Sequence, residues 1–172
     1  MAQPTDILDL GRLSLASGEG RGIELRIRTE GFEFGGQRYD VEEGAVTATL
    51  DAARTTGTGY SHRLRFEASL EGPCVRCLES ADQTVSVDAR EVDQPGAGEE
   101  VRSPYLEGDD LDVKSWARDA LALALPVRIV CREECLGLCA ICGENLNWAG
   151  PEHEHEREPD PRWAKLSEVR FE

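Results

Sequence analysis

Long apolar runs are missing from this chain. The longest, Ala120 to Leu125 followed by Pro126, is far too short to cross a bilayer. The opening residues, Met1-Ala-Gln-Pro-Thr-Asp-Ile7, carry neither a basic n-region nor an apolar h-region, so no secretory leader is expected. Together these absences predict a cytoplasmic protein with no membrane partner. Aromatic residues are scarce, at 6% beside 40% hydrophobic residues. A chain of 172 residues so composed can bury a core, though a modest one that a metal would usefully supplement. Positive charge is also short. Nineteen bases face 34 acids, for a net charge of −15. Such a molecule repels bare phosphate backbones at long range and favours a basic partner. No Gly-rich phosphate loop and no nucleophile elbow occurs, which leaves no catalytic or small-molecule cofactor site to assign.

Cysteine is what the chain has in an informative pattern. Four of six lie within Cys131-Arg-Glu-Glu-Cys135-Leu-Gly-Leu-Cys139-Ala-Ile-Cys142, and Cys74-Val-Arg-Cys77 forms a C-x-x-C pair upstream. His153 and His155 follow in Glu152-His-Glu-His-Glu156. In a reducing compartment clustered cysteines point to metal rather than disulfides. Knuckles with two or three residues between ligands suit tetrahedral zinc, which takes four thiolate or imidazole ligands. Two partitions are open. Cys74, Cys77, Cys131 and Cys135 could hold one ion while Cys139, Cys142, His153 and His155 hold a second. Alternatively, Cys131, Cys135, Cys139 and Cys142 close a single site. The first is preferred, because it uses every cysteine and ties distant knuckles together. Residues 152–156, if extended, place both imidazoles on one face. Four thiolates around zinc leave a formal charge of about −2, which Arg76 and Arg132 could offset.

Along the chain, period-two alternation predicts strands at Ile23-Leu25-Ile27, at Val46-Ala48-Leu50, and most clearly from Tyr60 to Leu70, where His62 falls on the apolar face as a packed core histidine. Phe32-Glu-Phe34 and Tyr39-Asp-Val41 flank Gly35-Gly36 as a hairpin. Val85, Val87 and Ala89 resume the alternation, so the C-x-x-C is expected in a hairpin turn. That context argues against a thioredoxin-like redox pair. Residues 93–112, with seven acids and one Arg, are expected as a solvated acidic loop. Asp112 caps a helix over 113–125 whose stripe includes Leu121, Leu123 and Leu125, with the last turns expected to be buried. A short C-terminal helix is expected from Asp160-Pro161-Arg162-Trp163. Arg26, Arg28, Arg63 and Arg65 are read as a solvated sheet face, with a phosphate-binding patch the alternative.

The predicted fold class is α+β: a mainly antiparallel sheet, its closure into a barrel left open, with one buried helix. Residues 1–130 would form the β-rich domain, and residues 131–172 a zinc-binding module packed on it.

The chain resembles the YceD family, the large ribosomal RNA subunit accumulation proteins. The resemblance rests on Cys74-Val-Arg-Cys77-Leu78, on Ala120-Leu-Ala-Leu-Ala-Leu125-Pro126, on Cys135-Leu-Gly-Leu-Cys139-Ala-Ile-Cys142-Gly143-Glu-Asn145-Leu146-Asn147, and on Asp160-Pro161-Arg162-Trp163-Ala164-Lys165-Leu166. Many relatives have Cys-x-Cys where this chain has His153-x-His155, an exchange of one ligand pair for another. The resemblance carries over the six cysteines as ligands and no catalytic residue. It implies a non-enzymatic bacterial factor supporting synthesis, processing or stability of the large-subunit (23S) ribosomal RNA, with a basic ribosomal protein or pre-ribosomal particle as partner. The competing readings are a zinc-dependent binding module acting on a basic regulator outside ribosome biogenesis, and a thiol redox enzyme.

Overall fold

A computed structural model describes residues 4–150, 152–155 and 162. The expected helix beginning at Asp160 lies outside the described residues. Among the described residues, nine strands and two α-helices follow in order: β1 (Ile7–Asp9), β2 (Gly20–Arg28), β3 (Phe32–Phe34), β4 (Gln37–Val41), β5 (Ala45–Arg54), β6 (Tyr60–Pro73), β7 (Ser80–Asp93), β8 (Leu106–Glu107), β9 (Asp110–Asp112), α1 (Val113–Ala124) and α2 (Leu146–Ala149).

The alternation that marks β6 in the sequence makes it the spine of the sheet. Its even-numbered residues from Tyr60 to Leu70 are buried, while Arg65 and Glu67 point to solvent. β7 pairs antiparallel along its whole length, from Tyr60↔Asp93 to Pro73↔Ser80. The opposite edge is shared. β5 occupies it from Tyr60 to Phe66, and β4 takes over at Leu70 and Glu71. β2 extends the sheet beyond β5, and β3 pairs with β4 across Gly35 and Gly36, whose φ of 61° and 73° give the left-handed turn a tight hairpin needs. The resulting six-stranded sheet stays open and does not close into a barrel.

β1, β9 and β8 form a second, three-stranded sheet, which corrects the expected solvated loop. Within residues 93–112, Leu106 and Leu111 are buried. Asp93 is also buried, accepting from Arg102 Nε at 2.7 Å and the Ser103 amide at 3.0 Å. The acids that read as a solvated run therefore frame a small hairpin whose two leucines face inward.

Asp112 caps α1 by accepting from the Ser115 amide at 2.9 Å. Val113, Trp116, Ala117, Ala120 and Leu121 are buried beneath it. The expected burial of its last turns holds in part: Leu121 is fully buried and Ala124 and Leu125 pack against the core, whereas Leu123 is 90% exposed among the described residues. His62 is 2% exposed between the rings of Tyr60 and Trp116, as a core histidine. No described helix is long and apolar enough to cross a membrane.

Candidate metal centre

The β6–β7 ladder ends in a turn that aims two sulfurs at one point. The Cys74 amide donates to the Glu79 carbonyl at 2.7 Å, and the Leu78 amide to the Cys74 carbonyl at 2.9 Å. Leu78 takes a left-handed φ of 61°, an unusual cost for a non-glycine residue that tightens the knuckle. The Arg76 amide points at Cys74 Sγ at 3.4 Å. Cys74 and Cys77 are thereby buried.

After α1 the chain returns to this turn. The Val75 amide donates to Ile129 O at 3.0 Å, and the Leu138 amide to Arg76 O at 3.1 Å, so residues 131–135 are strapped beside the knuckle. Gly137, at φ 80°, lies against Arg76, and a Cβ there would meet the Arg76 carbonyl at 3.1 Å. Arg76 Nη1 donates to the Cys135 carbonyl at 2.7 Å, which sets its positive charge beside the sulfurs. Arg132 lines a small cleft with Cys77, Cys131 and Trp148.

The sulfurs of Cys74, Cys77, Cys131 and Cys135 lie within 4.8 Å of one another, and so do the ligand atoms of Cys139, Cys142, His153 and His155. All six cysteines are free. Four ligands at about 2.3 Å around a tetrahedral ion sit about 3.8 Å apart. Cys74 and Cys135 Sγ are 3.8 Å apart, and Cys77 and Cys131 Sγ 3.6 Å. The thiol chemistry fits a cation too. Burial pushes the Cys77 thiol up to about 12, and burial likewise raises Cys131. Cys74 is also pushed up by burial, but amides directed at its sulfur from Cys131, Cys77 and Arg76 outweigh this and hold it at about 6. Four crowded thiols cannot all ionise without a cation among them, and a divalent ion supplies the compensating charge.

The second cluster is more open. The Gly143 amide donates to Cys139 O at 2.8 Å, the Cys139 amide to Glu144 O at 2.8 Å, and the Ile141 amide points at Cys139 Sγ at 3.4 Å. Amides of Cys142 and Ile141 hold Cys139 down at about 6. His153 Nε2 lies 3.5 Å from Cys142 Sγ and 3.1 Å from His155 Nε2. Two imidazole nitrogens facing one point at that separation suit a shared cation.

The sequence reading passed over the residues that orient these ligands. Glu144 Oε2 lies 3.2 Å from His153 Nδ1, a carboxylate–histidine pairing that leaves Nε2 for metal. Asn147 Nδ2 donates toward Cys135 Sγ at 3.4 Å while its Oδ1 accepts from the Leu136 amide at 2.9 Å. Asn145 Nδ2 reaches Glu79 at 3.2 Å, linking the two knuckle regions. The available signal was their place in the Glu144-Asn-Leu-Asn147 run that follows Cys142-Gly143.

The arginine face is charge-paired rather than bare. Arg26 meets Glu43 at 3.0 Å, Arg63 meets Asp88 at 2.6 Å, Arg65 meets Asp51 at 2.6 Å, and Arg28 pairs with Asp6.

The sequence model of the family described as "Large ribosomal RNA subunit accumulation protein YceD" matches residues 62–170. An uncharacterized protein of Mycobacterium tuberculosis (strain H37Rv) is 30% identical over 168 residues, covering 93% of this chain and 68% of that protein. One from Mycobacterium bovis shows the same identity and coverage. One from Mycobacterium leprae is 33% identical over 102 residues, covering 56% of this chain and 46% of its own length. No solved structure matches the chain significantly.

Proposed function

The chain belongs to the YceD family, and from that premise we propose that it is a non-enzymatic, zinc-stabilised factor in the accumulation of large-subunit ribosomal RNA. The observation that carries the reading is the family match over residues 62–170, a span that contains all eight clustered ligand candidates. Cys74, Cys77, Cys131 and Cys135 hold one zinc ion; Cys139, Cys142, His153 and His155 hold the other. Each group offers four sulfur or imidazole donors, which fills a tetrahedral shell and leaves no position for substrate, so the ions act as structural clamps. The zinc-tied end and the acidic surface meet a basic ribosomal protein or a precursor particle. With a net charge of −15, broad coating of RNA phosphate is disfavoured.

Two measurements test this. Purified under reducing conditions, the protein should carry two zinc ions per chain by metal analysis with native mass. A value near one, unchanged by Cys74→Ser, eliminates the two-ion arrangement. In cells depleted of the protein, sucrose-gradient profiles should show a deficit of large subunits, and normal profiles overturn the ribosomal role.

A further inference from the structure

Among the described residues, β7 is the long open edge of the main sheet. Among the described residues it pairs only with β6, over fourteen residues in unbroken one-to-one register. Proline and bulges, which natural proteins use to blunt such edges, are absent from it. Which of its groups face outward follows from the bond between the Cys74 amide and the Glu79 carbonyl at the head of the ladder. Hydrogen-bonded pairs alternate in an antiparallel ladder. Gly72–Ala81 and every second pair after it are therefore bonded across, and the even-numbered residues of β7 turn their N–H and C=O groups away from β6. Gln94, the next even position, obeys the same parity: its amide turns away to Val101 O at 2.9 Å.

The side chains of these residues stand exposed on the solvent face. Asp88 accepts from Nε and Nη2 of Arg63, at 2.8 and 2.6 Å. Asp82 and Arg90 make no hydrogen bond or ion pair with another described residue, and Arg90 only adds to the field felt by Asp88. The edge thus carries one free acid and one free base, four residues to either side of Ser86.

We propose that β7 is a dimerisation edge, and that its occupant is the β7 strand of a second copy of this chain, antiparallel about Ser86. That register keeps outward-facing residues opposite outward-facing residues. It sets Asp82 against Arg90 of the other copy twice by symmetry, and Thr84 against Asp88. A centre at Val85 would set Asp82 against Asp88, and one at Val87 would leave Asp82 facing Val92, so charge complementarity selects Ser86. On the helix side, Val85 meets Val87 across the junction, next to the groove that Val87, Ala89, Trp116 and Leu123 line. The net charge of each copy opposes association at long range, but screening at physiological salt confines that repulsion to about 8 Å, whereas the strand contacts are local. The dimer carries its two cysteine knuckles at opposite ends.

The parity of β7 supplies a selective test. Proline at position 86 removes an outward N–H and the exposed hydroxyl bond from Ser86 to Glu67 but no backbone bond to β6, so Ser86→Pro spares the ladder while blocking strand addition. Sedimentation of the full, metal-replete chain across the micromolar range should show a dimer that Ser86→Pro converts to monomer with an unchanged circular dichroism spectrum. Arg90→Asp should weaken dimerisation roughly tenfold or more, and Asp82→Arg combined with Arg90→Asp should restore it. A wild-type chain that stays monomeric across that range overturns the proposal. So does a dimer indifferent to Ser86→Pro and to the charge exchange, and so does a monomer whose β7 amides gain exchange protection only when an unrelated extended peptide is added. None of these readouts depends on ribosome profiles or zinc content.

Discussion

His62 shows what one side chain contributes. Neither ring nitrogen has a hydrogen-bond partner among the described residues, and the ring lies between Tyr60 and Trp116. Burial lowers its pKa from 6.5 to about 4, against an opposing pull from Asp93. The folded state therefore declines a proton that the unfolded chain accepts below about pH 6.5. Stability from this group is complete above that pH and drains away as pH falls toward 4. At pH 5 the loss amounts to about 2 kcal/mol. His62→Phe keeps an aromatic ring in the slot without a titrating nitrogen. Urea unfolding at pH 7 and pH 5 should show the variant losing about 2 kcal/mol less than wild type between the two; equal losses would mean that His62 takes up its proton in the folded state. The alternation of Tyr60, His62 and Leu64 already placed this histidine inside, since the pleat fixes direction whatever the residue. Glu144 and Asn147 were not legible in that way. They act on ligands through contacts that depend on how the knuckles fold back, and no periodicity encodes such contacts.

At the scale of elements, sequence reading succeeded where a period had room to repeat. β6 and β7 span fourteen residues each, and the β3–β4 hairpin announces itself through Gly35-Gly36. β8 and β9 did not. Strands of two and three residues have no measurable alternation, and the acids around Leu106 and Leu111 look like a solvated run until β1 supplies a partner. α1 divides the same way. Its cap and its start follow from Asp112, but a helical stripe says only which residues share a face, not how far the sheet extends beneath them. Leu121 and Leu123 make the distinction measurable, since the first is fully buried and the second 90% exposed. Leu121→Ala should cost about 2–5 kcal/mol through lost burial and an unfilled cavity. Leu123→Ala should change the stability of the isolated chain by about 0.5 kcal/mol or less. Comparable losses in denaturant unfolding would show that the end of α1 is covered in solution.

For the molecule as a whole, the question is what joins the return of the chain after α1 to the far end of the sheet. The described hydrogen bonds there are few: the Val75–Ile129 and Leu138–Arg76 backbone bonds, the Arg76 guanidinium on Cys135 O and Glu133 O, and Asn145 on Glu79. The ion pairs on the arginine face are exposed and contribute little each. An ion held by Cys74, Cys77, Cys131 and Cys135 closes a loop of more than fifty residues between the two knuckles. Treated as a cross-link, such a closure removes unfolded-state entropy equivalent to about 4 kcal/mol. For a chain of this size, 1 kcal/mol moves the melting temperature by about 2–4 °C. Stripping metal with a strong chelator under reducing conditions should therefore lower Tm by about 10 °C, with most of the loss reproduced by Cys74→Ser. Cys142→Ser should lower it far less, because the second cluster closes only a short local loop from Cys139 to His155. A melting curve unmoved by chelator, or two cysteine variants with equal effects, would show that packing alone fastens the two halves of the chain.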